Sequence, residues 1–118
     1  MHQHIILFFD AAHSLPNYDG NCHRLHGHTW KVEFELELKD DTIDAKQGFA
    51  YDFKNLRNWL KGYIIDRFDH RLVNDEVEIP TCENLAKYIY EITREKIELL
   101  PLSKVTVWET PESGVSYP

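Results

Sequence analysis

Trp30, Val32, Phe34, Leu36 and Leu38 alternate with Lys31, Glu33, Glu35, Glu37 and Lys39. A period of two sustained over this length predicts a long strand with one buried face and one wet face. Upstream, Ile5-Ile6-Leu7-Phe8-Phe9 is a short apolar run rich in β-formers and predicts a first strand. The turn-rich stretch from Asn17 to Asn21 makes a loop between the two. Asp40-Asp41 and the residues from Thr42 to Gly48 end the long strand.

The period then changes. Behind Asp52, a capping residue, Phe53, Leu56, Leu60, Tyr63 and Ile64 recur at helical spacing. Pro80-Thr81 opens a second helix, with Thr81 as cap and Glu83 in the first turn, where the helix dipole favours an anion. Leu85, Ile89 and Ile92 form its apolar stripe, and Pro101 stops it. Val105, Val107 and Glu109 alternate with Thr106 and Trp108 in a third strand. Pro111 to Gly114 reads as a turn, and Val115 to Tyr117 as a short last strand.

The order strand-strand-helix-helix-strand-strand predicts an α+β fold: a four-stranded antiparallel sheet packed on two helices. No repeat, low-complexity tract or linker divides the chain, so residues 1–118 read as a single domain. Two helices cover one face of such a sheet and leave its edges bare. Bare edges are a liability, so a homo-oligomer is expected.

Composition narrows the classes. With 118 residues, 42% of them apolar, there is enough for a packed core. A net charge of −7 without basic clustering argues against nucleic acid as a partner. No apolar run approaches the ~20 residues of a membrane span, and no secretory leader precedes the first strand. Two cysteines, Cys22 and Cys82, are too few for a disulfide framework, which favours a reducing, cytoplasmic setting.

Histidine is over-represented: seven residues, of which His2, His4, His13, His23, His26 and His28 lie within the first 28 positions. His26-Gly27-His28 opens the long strand. If its alternation extends back, both rings share the apolar face with Trp30. Two imidazoles at a buried rim are costly unless something pairs them, and His13, behind Ala11-Ala12, can supply a third. Three imidazoles suit Zn2+ and leave a fourth position open. The plainer alternative makes His-Gly-His a polar turn and His13 a strand terminus. His2, His4 and His23 are expected at the surface.

Cys22, four residues before His26, admits three readings: a low-pKa base or nucleophile, a fourth zinc ligand, or a small buried residue. Cys82 is expected to be structural. Asp69-His70 pairs a carboxylate with an imidazole and can support proton transfer, or simply end a helix favourably. Glu109 has the parity of the apolar face. A carboxylate there needs paired donors, which an amidine-like N–H pair on a heterocycle offers; otherwise it turns to solvent.

Taken in order, Phe9-Asp10-Ala11-Ala12-His13, Cys22-x-x-x-His26-Gly27-His28, Asp52-Phe53, Asp69-His70, Pro80-Thr81-Cys82-Glu83-Asn84-Leu85-Ala86 and Trp108-Glu109-Thr110 resemble the 6-pyruvoyl-tetrahydropterin synthase superfamily. The resemblance spans nearly the whole chain. It implies the tunnelling fold, sheets closing into barrels on oligomerisation, a hexamer built from trimers, and active sites between subunits. It implies that His13, His26 and His28 bind zinc and that Cys22 is the catalytic thiol. Asp69 and His70 complete the proton-transfer set, and Glu109 anchors the pterin, with Thr81 and Glu83 helping from the neighbouring subunit.

The three-residue gap between Cys22 and His26 resembles the 6-carboxy-tetrahydropterin synthase branch of queuosine biosynthesis. That branch turns 7,8-dihydroneopterin triphosphate into 6-carboxy-tetrahydropterin, acetaldehyde and triphosphate. The alternatives are formation of 6-pyruvoyl-tetrahydropterin from the same substrate, or a non-catalytic zinc protein closed by Cys22. Arg24 and Lys54 are candidate cations for the triphosphate. Phe49-Ala50-Tyr51 and Cys82 depart from the family's usual residues and bear on pocket shape.

Overall fold

The computed structural model describes residues 1–118. Strands β1 (His2–His13), β2 (His26–Glu37), β3 (Leu102–Thr110) and β4 (Ser113–Tyr117) form one antiparallel sheet in that order. Helices α1 (Phe53–Tyr63) and α2 (Cys82–Lys96) lie between β2 and β3 in the chain. The expected order of elements is therefore observed.

The alternation in β2 does what its period requires. Trp30, Val32, Phe34 and Leu36 are fully buried, while Lys31, Glu33 and Glu35 remain on the other face. The strand begins at His26, so the alternation does extend back through both histidines. Strand β1 is longer than the apolar run that marks it. His2, His4 and Asp10 interrupt the hydrophobic pattern, but pairing with a twelve-residue β2 carries the ladder from His2 opposite Glu37 to His13 opposite His26. The far end is tied down as well, because the Leu38 N–H donates to the Met1 carbonyl at 2.8 Å.

Both predicted caps form. The Asp52 carboxylate accepts from the Lys54 N–H at 2.8 Å, and the Thr81 hydroxyl accepts from the Asn84 N–H at 3.2 Å. These satisfy amides that the first helical turn leaves without partners. Helix α1 buries Leu56 and Leu60, and Ile64 just beyond its end continues the row at intervals of four. Phe53 and Tyr63, expected in that stripe, stay exposed. Helix α2 buries Leu85, Ala86, Ile89 and Ile92. It ends at Lys96 rather than at Pro101, which instead leads into β3 after a turn.

The last hairpin is tighter than expected. Pro111 and Glu112 alone connect the strands, so Ser113 and Gly114 already belong to β4. Gly114 sits opposite Trp108, where a Cβ would come within 2.7 Å of the Trp108 ring and of the Val107 carbonyl. Only glycine lets the strands close there.

The core lies between the helices and one sheet face. Phe9 stacks between Trp30 and Phe68, with ring centroids 5.8 and 5.2 Å away. A third feature has no periodic signature in the sequence. Residues 68–72, between the helices, zip along β1: the His70 N–H donates to the Asp10 carbonyl at 2.7 Å, and the Ala12 N–H donates to the Arg71 carbonyl at 3.3 Å. Asn74 then clamps Ser14, accepting from its N–H at 3.0 Å and donating to its carbonyl at 2.9 Å. These bonds fix the end of β1, where His13 stands. No helix is long and apolar enough to cross a membrane.

Candidate metal centre and the adjoining cleft

His13, the last residue of β1, is paired with His26, the first residue of β2. His28 follows on the same face of β2, and Glu109 comes from β3. Donor atoms of these four side chains all lie within 4.8 Å of one another. Beneath them the Trp30 ring meets the His13 ring edge-on at 4.9 Å, and its indole N–H donates to the Ala11 carbonyl. The floor is therefore apolar and fixed.

The backbone sets the tautomers. His13 Nδ1 lies 2.9 Å from the Pro80 carbonyl, and His26 Nδ1 lies 2.7 Å from the Arg24 carbonyl. A carbonyl can only accept, so each Nδ1 carries the hydrogen and each neutral ring keeps its lone pair on Nε2. Those two Nε2 atoms face each other at 3.0 Å. Two lone pairs converging in this way repel unless a proton or a cation lies between them. A proton is disfavoured, because burial holds the His13 and His28 imidazoles below the ordinary histidine range.

His28 Nε2 completes the set. It is buried without a properly aligned hydrogen bond, although Glu109 Oε1 is 2.9 Å away. The same oxygen is 3.8 Å from His13 Nε2. Three converging imidazole nitrogens, two of them oriented by carbonyls behind the rings, make a donor set and supporting shell that could hold a metal ion. The residues fit a divalent transition metal. The fourth donor within reach is the Glu109 carboxylate, not Cys22, so the cluster is not the closed three-histidine, one-cysteine arrangement.

Beside the cluster runs an open cleft of about 680 Å3, whose lining includes His28, Thr29, Asp10, His70 and Arg71. His70 Nδ1 is 3.0 Å from Asp69 Oδ2, and Asp69 Oδ1 accepts from the Asp10 N–H at 3.0 Å. That amide, followed by the histidine, holds the Asp69 carboxyl below its usual range. His70 adopts φ 59°, a left-handed conformation uncommon for a residue with a side chain, and its imidazole is largely exposed. The zipped segment 68–72 thus presents an imidazole, oriented by the Asp69 carboxylate, to the cleft that His28 lines.

The remaining candidates are placed as follows. Cys22 is half-buried in a single 3-10 turn, Asn21–His23, just before β2, and its carbonyl accepts from the Leu15 N–H at 3.0 Å. Thr81 spends its hydroxyl on the helix cap, and Glu83 is exposed in the first turn of α2. Neither belongs to the donor cluster; what that helix terminus contributes is the Pro80 carbonyl. Arg24 and Lys54 do not line the cleft, whereas Arg71 does. Cys82 is buried with Sγ 3.4 Å from the Val107 carbonyl, and burial, with the Glu109 charge, pushes its thiol up to about 11. It is a structural thiol, as expected. His23 closes a surface turn onto the Gly20 carbonyl. His2 and His4 stand at the opposite end of β1, exposed.

Sequence reasoning missed the Pro80 and Arg24 carbonyls, which carry no side-chain signature, and the approach of Glu109 to His28. The parity of β3 was the available signal for the latter.

Similarity to known proteins extends over nearly the whole chain. The profile of the family described as 6-pyruvoyl tetrahydropterin synthase matches residues 5–118. The 6-carboxy-5,6,7,8-tetrahydropterin synthase of Haemophilus influenzae is 30% identical over 131 aligned positions, covering 92% of both chains. The dihydroneopterin monophosphate aldolase of Pyrococcus furiosus is 33% identical over 91% of this chain and 88% of its own. The structure of 6-pyruvoyl tetrahydropterin synthase from Caenorhabditis elegans superposes with a TM-score of 0.82 at 27% identity, over 99% of this chain and 94% of that one. The four-stranded antiparallel sheet with two helices is the tunnelling fold. In profile, in sequence and in fold, the chain belongs to the 6-pyruvoyl tetrahydropterin synthase family.

Proposed function

We propose that this chain is a zinc-dependent 6-carboxy-tetrahydropterin synthase, a lyase that converts 7,8-dihydroneopterin triphosphate and water into 6-carboxy-tetrahydropterin, acetaldehyde and triphosphate. The observation that carries the reading is the convergence of the His13 and His26 Nε2 lone pairs at 3.0 Å, beside a cleft that holds His28 and His70. Relatives named 6-carboxy-5,6,7,8-tetrahydropterin synthase supply the choice of reaction.

In this reading His13, His26 and His28 hold the zinc. When bound there, zinc supplies Lewis-acid polarisation of the substrate's side-chain hydroxyls. Cys22 removes a proton from the side chain. His70, oriented by Asp69 at 3.0 Å, returns one. Glu109, on the rim of the cluster, accepts the paired N–H groups of the pterin ring. Thr81 and Glu83 act on the pterin bound by a neighbouring subunit. The leaving phosphates meet Arg71 rather than Arg24 or Lys54, because only Arg71 of the three lines the cleft. The working unit is a cytoplasmic homo-oligomer, a hexamer, of single-domain chains.

The Pyrococcus furiosus relative favours a second reading, aldol cleavage of a dihydroneopterin monophosphate. Incubation of the zinc-loaded protein with the triphosphate and, separately, the monophosphate distinguishes the two by product mass. Acetaldehyde with carboxy-pterin from the triphosphate is the expected result. A pyruvoyl product, or turnover of the monophosphate alone, overturns the proposal. Loss of zinc in Cys22→Ala instead points to a non-catalytic zinc protein.

A further inference from the structure

At the end of the β1–β2 ladder remote from the catalytic cluster, on the face of the sheet that the helices do not cover, two more histidines meet two carboxylates. We propose that His4, Glu33 and Glu35, with His2 standing beside Glu35, form a second divalent transition-metal site, distinct from the His13–His26–His28 cluster.

The placement follows from strand geometry. Even positions of β1 and odd positions of β2 share the helix-free face. The register sets His4 opposite Glu35 and His2 opposite Glu37. The side chains then lean diagonally: His4 Nδ1 is 3.6 Å from Glu33 Oε2, and His2 Nδ1 is 3.8 Å from Glu35 Oε1. Donor atoms of His4, Glu33 and Glu35 all lie within 4.8 Å of one another. These separations are longer than hydrogen bonds. Two donors each about 2.1 Å from one tetrahedral ion stand about 3.4 Å apart, close to the spacing observed.

Charge points the same way. Glu33, Glu35 and Glu37 recur at alternate positions on one strand face, where like charges repel. The nearest cation is Lys104, 3.9 Å from Glu35. The imidazole nitrogens add donors, and a divalent cation held by them offsets the excess negative charge. One imidazole and two carboxylates, with a second imidazole 3.8 Å from Glu35, favour Zn2+, Co2+ or Ni2+ over Mg2+ and Ca2+, which take oxygen alone. Glu35 is mostly buried, whereas both imidazoles are about half exposed, so an ion there exchanges with solvent. The platform is firm, because the Met1 carbonyl is held by the Leu38 N–H at 2.8 Å and the strand end does not hang free. Neither the pterin chemistry nor Cys22 enters this inference.

The test is zinc titration of tag-free, metal-stripped protein by calorimetry, with bound metal measured after dialysis. Wild type takes up two ions per chain, one tightly and one more weakly. His4→Ala and Glu35→Gln each weaken the second event by at least about tenfold and leave the first unchanged. His26→Ala removes the first and keeps the second. As an independent readout, Co2+ added to the zinc-loaded protein broadens the amide resonances of His2, His4, Glu33 and Glu35 before others. A single bound ion per chain in wild type, a second event indifferent to both substitutions, or broadening centred elsewhere overturns the proposal. In those cases the four side chains are ordinary cross-strand ion pairs.

Discussion

The two ends of the β1–β2 ladder use the same residue types to opposite effect. At one end His13 is fully buried, its ring is fixed by the Pro80 carbonyl, and its lone pair is aimed at that of His26. At the other, His2 and His4 are about half exposed and lie beside carboxylates at 3.6–3.8 Å. Strand parity decides which side a ring faces, and what stands behind it decides its state. Carbonyls behind the buried imidazoles set their tautomer, and burial disfavours the charged form of His13; no carbonyl stands behind the exposed rings of His2 and His4. A histidine count along the chain does not separate these environments, whereas the register does.

The contrast can be broken most forcefully at the buried end. His26→Ala is expected to abolish tight zinc binding and to lower turnover by at least ~10³-fold, measured by metal content and by steady-state assay. Retention of both would remove the basis for the catalytic reading. Cys22→Ala is expected to lower turnover ~10²–10⁴-fold while zinc stays bound at about one tight equivalent per chain.

Next comes acidity in the metal-free protein. Burial lowers the folded-state pKa of His13 and His28, so below the ordinary value of about 6.5 the unfolded chain binds more protons than the folded one. Their contribution to stability is therefore present above about 6.5 and is lost as pH falls from there toward the lowered folded values. Urea melts of the stripped protein between neutral pH and pH 5 should show the decline, and His13→Asn should flatten it. An unchanged midpoint over that range would sink the idea that these rings are held neutral.

A smaller effect sharpens the comparison from the other side. His4→Ala in metal-free protein should change stability by no more than about 0.5 kcal/mol, because the group is exposed. Leu85→Ala, in the core between the two ends, should cost about 2–5 kcal/mol and so calibrates the same urea melts.

Much of this molecule was legible in its sequence, for reasons that can be stated residue by residue. The alternation from Trp30 to Leu38 is local, so the strand, its buried face and the shared face of His26 and His28 could be read directly. The caps at Asp52 and Thr81 are local too. The pairing of His13 with His26 is not: it depends on a ladder whose other strand is interrupted by His2, His4 and Asp10. The zipping of residues 68–72 onto β1 was invisible because backbone groups make it, and those residues lack a period. The exposure of Phe53 and Tyr63 was illegible for a related reason, since helical spacing says which residues share a face but not how far a neighbouring element extends over it.

The carbonyls of Arg24 and Pro80 have one further consequence, for mutational tolerance. Every residue type has a backbone carbonyl, so substitution at position 24 or 80 leaves the acceptor in place as long as the chain path is kept. The tautomers of His13 and His26 are thereby protected against most point changes at the positions that set them. Vulnerability moves instead to whatever preserves the path: the Asn74 clamp on Ser14, the turn before His26 and the start of α2. Variants screened for loss of the metal should therefore turn up at such scaffold positions, as well as at the ligands themselves.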